Sequence, residues 1–208
     1  MIKEVYLIRH SKPLKVNNDK NMDSLQIQNE KQPLSIEGEN IAREKLNIEE
    51  LKDIDKLYSS SYVRAISTAK YIAENNNIEI NVINDFGERK FGINSWDELP
   101  DNFGEKQFLD ENYKTEFGES QKEVRERTFN ALMNVLKSDD KKIAIVFHGT
   151  AMLFLLMTWC KVVPDSDKYK IFFNGNELLW GKHFDFCETF KLTFNDNKLI
   201  DIKNIKHD

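Results

Sequence analysis

The feature that most constrains the fold is an alternation of two patterns along the chain. Short apolar runs of strand length are separated by longer stretches with helical spacing. Lys3 to Ile8 is one such run, and DKLYSS (55–60), IEINVIN (78–84) and KKIAIVFHG (141–149) are three more. They are rich in β-branched and aromatic residues and nearly continuous in their apolar character, as strands of a parallel sheet are when both faces are covered. Between them, Ser35 is placed to cap a helix through IEGENIAREKL, and YVRAISTAKYIAENN carries an apolar stripe that closes in an Asn-rich stop. ESQKEVRERTFNALMNVLKS repeats the helical spacing, and TAMLFLLMTWC is apolar all round, which predicts a buried helix. Strands alternating with helices predict a layered α/β domain.

Near the C-terminus, CETFKLTF and KLIDIKNI flank Asn195, Asp196 and Asn197, which predicts an antiparallel hairpin added to the sheet. Two stretches show no period: Lys12 to Pro33, and the region from Gly92 to Ser120. Loops of that length inside a compact domain are usually lids or binding segments, so 92–118 reads as a cap-like insertion in a single domain spanning 1–208.

Charge and composition exclude several partners. A net charge of −5 leaves no global basic field for nucleic acid or an anionic membrane. No apolar run approaches the ~20 residues of a membrane span, and the N-terminal run leads straight into charge, unlike a signal peptide, so a cytoplasmic location is expected. Cys160 and Cys187 lie far apart with no metal-binding spacing and read as buried apolar residues. That spacing argues against a metal knuckle or a disulfide framework, and no cofactor is expected. Whether the chain forms a homodimer is left open.

Two strands end in histidine: Ile8 leads through Arg9 into His10, and Phe147 into His148. Ligands of parallel sheets gather at the carboxyl ends of the strands. Arg64 follows the strand ending in Ser60, and Glu88 follows the one ending near Asn84, so four strand ends converge on one rim. Arginine suits phosphate oxygens because its planar fork donates in parallel, and helix N-termini after Ser60 and at Gly149 add backbone N–H donors. A neutral imidazole can attack phosphorus, and nearby arginines disfavour its protonated form. This assigns His10 as nucleophile, Glu88 as proton donor, and Arg9, Arg64 and His148 as phosphate contacts. The plainer alternatives are a solvated Arg64, or one paired with Glu74 or Asp85. Arg125 and Arg127 read as part of a solvated helix face, and His183 and His207 as structural or surface residues. Trp96, Phe91, Phe103 and Phe108 fit a substrate pocket or a small cap core equally well.

The ordered set LIRHS, LSIEG, LYSSSYVRAISTA, FGERKFG, GES and VFHGTAMLFLL resembles the histidine phosphatase superfamily, the phosphoglycerate mutase-like group, across most of the chain. The resemblance implies a three-layer α/β/α sandwich with a mostly parallel sheet, a phosphohistidine at His10 and no metal. It departs at Ser11, where the family usually has glycine, and at Lys12 and Pro13. Ser11, Asn17 and Gly149 join the candidate substrate-binding residues, with Asn17 offset from the family spacing. The function expected is metal-independent hydrolysis of a small phosphorylated metabolite. The alternatives are mutase-type phosphoryl transfer and a non-catalytic phospho-ligand binder. The acidic balance of 92–118 favours hydrolysis, and a substrate whose organic part is neutral or cationic.

Overall fold

The computed structural model describes residues 1–16, 24–165, 168–181 and 183–205. The first half runs β1 (Ile2–Arg9), α1 (Leu25–Lys31), α2 (Ile36–Lys45), β2 (Lys56–Ser59), α3 (Val63–Asn76) and β3 (Ile80–Val82). The second runs α4 (Phe103–Leu109), α5 (Gln121–Val135), β4 (Lys142–Phe147), α6 (Gly149–Leu156), β5 (Lys161–Asp165), β6 (Lys168–Phe173), β7 (Asn176–Gly181), β8 (Thr189–Asn195) and β9 (Lys198–Ile205). The central sheet has the order β3-β2-β4-β1-β8-β9. Its first four strands are parallel, and β8 and β9 join antiparallel beyond β1. This is the layered α/β domain that the alternation predicts, in the three-layer α/β/α form that the resemblance implies.

Side-chain alternation along the central strands builds the two halves of the core. On β1, Val5 and Leu7 pack with Val124 and Leu132 of α5 and Met152 of α6, whereas Tyr6 and Ile8 pack with Ala42 of α2 and Ala65 and Ile72 of α3. β4 divides the same way, Ile143, Ile145 and Phe147 to one side and Ala144 and Val146 to the other. Local signals set the boundaries. Ser35 accepts from the Gly38 N–H, and Ser120 and Glu123 form a reciprocal capping box at the start of α5. Asn77, at a φ of 53°, ends α3 in the left-handed conformation.

Several elements differ from the sequence expectation. β3 is an edge strand of three residues with an exposed Val82, too short for the covered run of seven. The stretch from Lys12 to Pro33 carries α1, tied down by a bridge between Pro13 and Leu34. α6 ends at Leu156, before the apolar run does. The largest addition is a second, antiparallel sheet, β5-β6-β7. Its β6-β7 turn is Asn174-Gly175, both at positive φ, which is the backbone a two-residue hairpin requires. Both cysteines are free and buried. Among the described residues no helix is long and apolar enough to cross a membrane.

Candidate active site

The strand ends meet in register. Arg9 lies beside Phe147, and Ser59 beside Val146. The pairing continues one residue further: the His10 N–H donates to the Phe147 carbonyl (2.9 Å) and the Ser60 N–H to that of Val146 (3.0 Å). β1, β2 and β4 therefore deliver His10, Ser60 and His148 side by side, with the two imidazole centroids 5.1 Å apart.

The polar contacts fix the state of each ring. His10 Nδ1–H donates to the Ser11 carbonyl at 2.7 Å, which leaves Nε2 as an acceptor for Arg64 Nε at 3.1 Å. Arg64 also donates through its second terminal nitrogen to His148 Nδ1 (3.2 Å), so His148 Nε2–H faces Ser60 Oγ at 2.7 Å. Its remaining terminal nitrogen meets the Asn29 carbonyl of α1, and its guanidinium lies 4.9 Å from the centre of the Tyr62 ring. Burial, with Arg64 next, holds both histidines well below their ordinary 6.5 and so neutral near pH 7.

Arg9 reaches the Phe184 carbonyl and stacks 4.8 Å over the Phe186 ring, while its buried Nε has no partner among the described residues. Glu88 sits at the N-terminus of α6, accepting from Ala151 (2.9 Å) and Thr150 (3.2 Å) N–H groups and from its neighbour Arg89. A cavity of about 160 Å³ opens against Arg9, His10, Glu88, Gly149 and Thr150. A Cβ on Gly149 would lie 3.3 Å from Arg9 Nε, so the glycine lets the guanidinium approach the helix.

The structure thus brings Arg9, His10, Arg64, Glu88, His148 and Gly149 together. It places two of them differently from the sequence reading: Arg64 and His148 do not line the cavity, and both ring nitrogens of His148 are engaged within the protein. Ser11 is also corrected. It is fully buried, and its hydroxyl donates to the Gly38 carbonyl (2.6 Å) while its N–H donates to Thr68 Oγ1 (2.9 Å), so it ties the His10 loop to α2 and α3 and does not face the cavity. Asn17 and His207 lie outside the described residues.

The sequence model of the histidine phosphatase superfamily (branch 1) matches residues 5–175. The chain belongs to that superfamily. No curated protein matches it by sequence. Among solved structures, a mycobacterial glucosyl-3-phosphoglycerate phosphatase is 17% identical, with 98% of this chain and 97% of that one covered at a TM-score of 0.71. A protein described as mycobacterial hydrolase 1 is 16% identical, with 99% of both chains covered at 0.70. A phosphoglycerate mutase from Bacillus anthracis is 19% identical, with 98% and 92% covered at 0.66. At these identities the neighbours show the shared histidine phosphatase fold.

Several residues of the site escape the sequence reading. Arg127 grips both Glu119 oxygens (2.7 and 2.9 Å) and donates to the carbonyls of Asp85, Gly87 and Glu88, so it fixes the loop that carries Glu88. Arg125 keeps to the helix surface, paired with Glu111. Tyr169, His183 and Phe184 line the cavity from the second sheet and the segment after it. In the cap, Phe91 packs against Trp96 (5.1 Å) and Phe103 (6.0 Å), with Arg89 over Phe91 at 4.4 Å, so these rings form a small core. A separate cleft between that core and α1 is lined by Leu25, Phe91, Ile93, Trp96 and Phe117.

Proposed function

We propose that the protein is a phosphomonoesterase that hydrolyses small phosphate esters through a phosphohistidine on His10, without a metal ion. The observation that carries this reading is the unprotonated Nε2 of His10, held toward Arg64 by the Nδ1–H bond to the Ser11 carbonyl. That lone pair attacks phosphorus, the P–O bond to the organic group breaks, and the leaving alkoxide takes a proton from Glu88. Water then attacks phosphorus and gives its proton to Glu88, while the P–N bond breaks, returning its electron pair to His10 Nε2 and releasing inorganic phosphate. As Nε2 meets phosphorus, the Arg64 Nε–H passes to a phosphate oxygen, and Arg9 Nε and the α6 N-terminus take the others.

The Glu88 oxygens accept the Thr150 and Ala151 N–H bonds, which hold the carboxyl at the α6 N-terminus beside the phosphate end of the cavity. His148 orients Arg64 and packs against His10. Among the described residues no group of three or more His, Cys, Asp or Glu side chains is spaced to hold a metal. Hydrolysis is favoured over mutase transfer because Arg9 is the one permanent cation among the described residues lining the cavity, whereas a second acidic group on the substrate needs further donors.

The test is p-nitrophenyl phosphate hydrolysis in EDTA, with rapid acid-free quenching and mass analysis of the protein. We expect one added phosphoryl group on His10 during turnover, and both the label and the activity lost in His10→Ala. Binding of phosphate without turnover would leave a ligand-binding protein. Transfer to an acceptor phosphoglycerate faster than to water would leave a mutase.

A further inference from the structure

The cavity has two ends of different chemistry. Arg9, His10, Glu88, Gly149 and Thr150 make the end that fits a phosphoryl group, and Leu153, Tyr169, His183 and Phe184 make the other. The second sheet brings Tyr169 there by simple alternation. On β6, Tyr169, Ile171 and Phe173 share one face, and Ile171 and Phe173 are buried in the main core. Tyr169 is the inward residue two places before Ile171, where the strand passes from the core to the cavity rim. Its ring meets that of Phe184 edge-on at 6.1 Å, and Phe184 rests in turn on Phe190 at 5.3 Å. The Phe184 carbonyl also accepts from Arg9, so the segment that walls the cavity is fixed to the phosphate clamp. Burial pushes the Tyr169 hydroxyl up to about 12, which keeps it a neutral donor.

Resting on the phosphohistidine reading, we propose that Tyr169 and Phe184 determine substrate choice by receiving the organic half of the ester. Among the described residues the wall consists of two aromatic residues, one aliphatic side chain, a phenolic hydroxyl and the His183 imidazole, with no lysine or arginine. The substrate class it fits is a monophosphate with a compact, uncharged organic group that lies against the rings and offers an oxygen to the hydroxyl. Carboxylated and doubly phosphorylated esters meet no lysine or arginine among the described residues of this end.

The test compares p-nitrophenyl phosphate, glucose 1-phosphate and 3-phosphoglycerate as substrates, with orthovanadate as a probe of the phosphate end, in wild type, Tyr169→Phe and Tyr169→Ala. The expectation is at least about a tenfold higher kcat/KM for the two uncharged esters than for 3-phosphoglycerate. Tyr169→Ala then raises KM for both uncharged esters about tenfold, while vanadate inhibition and the rate of phosphoenzyme hydrolysis stay unchanged. Tyr169→Phe raises KM for glucose 1-phosphate alone, and it tests the hydroxyl even if the alanine variant does not fold. Unchanged KM values in the variants, or vanadate weakened in the same proportion as the esters, overturns the wall. A phosphoenzyme that still forms on His10 in that case leaves the parent reading standing, and its absence in wild type removes the parent reading itself.

Discussion

At the scale of single residues, Arg127 is the contact on which the proposed proton delivery by Glu88 rests. Its planar fork spans the Glu119 carboxylate and three successive parts of the Glu88 loop, a set of contacts that the point charge of an ammonium cannot reproduce. Arg127→Lys is expected to lower kcat about tenfold, at the low end of what proton transfer contributes, with KM for p-nitrophenyl phosphate changed less than twofold. Steady-state kinetics across pH checks it: loosened Glu88 placement alters the limb of the profile that reports the acid, and a purely structural loss lowers the whole profile evenly. Arg127 shows nothing of this in sequence, because its partners are eight and about forty residues away and three of them are main-chain carbonyls. His10, Glu88 and His148 were legible because each follows a strand, and strand ends share a rim. Ser11 was legible as an anomaly, yet its direction was not: the burial that turns its hydroxyl to Gly38 comes from α2, which nothing local predicts.

At the scale of elements, α2 and the His10 loop press backbone to backbone at Gly38. A Cβ there would stand 2.0 Å from the Lys12 carbonyl oxygen, which is itself held by the N–H and hydroxyl of Ser35. Alanine in a helix ordinarily gains about 0.5–1 kcal/mol over glycine, and overpacking costs about 1–3 kcal/mol, so the clash wins here. Gly38→Ala is expected to lower stability by roughly 1–2 kcal/mol in urea and to lower kcat as well, since Lys12 is two residues from His10. A stabilised variant with full activity would show that the loop gives way freely. The parallel strands and their helices were legible because buried β1 and β4 advertise themselves by composition. The β5-β7 sheet was not, although Asn174-Gly175 is a strong hairpin signal. Its strands mix Lys, Asn and Glu with aromatics because only one face is buried, and that dilutes the apolar run.

At the scale of the whole molecule, the two buried neutral histidines link stability to pH. Both have folded values well below 6.5, so between that value and the folded one the unfolded chain binds protons that the native state refuses. Their contribution is complete above about pH 6.5 and is lost as pH falls, by about 1–2 kcal/mol per histidine on reaching pH 5. Urea midpoints measured from pH 7.5 to 5 should decline accordingly, and a His10→Asn, His148→Asn double variant should show a flatter curve. The fold class was readable from the alternation because layer architecture depends on which faces are apolar, a property that each strand carries in its own residues. The position of β1 inside the sheet was not, because pairing order is decided between segments far apart in sequence. That position governs assembly: β1 lies between β4 and β8, whose residues follow it by more than 130 places. During synthesis the proposed nucleophile therefore emerges early and waits, an unpaired strand with its histidine, until residues synthesised much later arrive on both sides. Catalytic competence is a late event in the life of each molecule, and a nascent chain stalled before β8 carries every proposed reacting side chain while lacking the strand that closes their support.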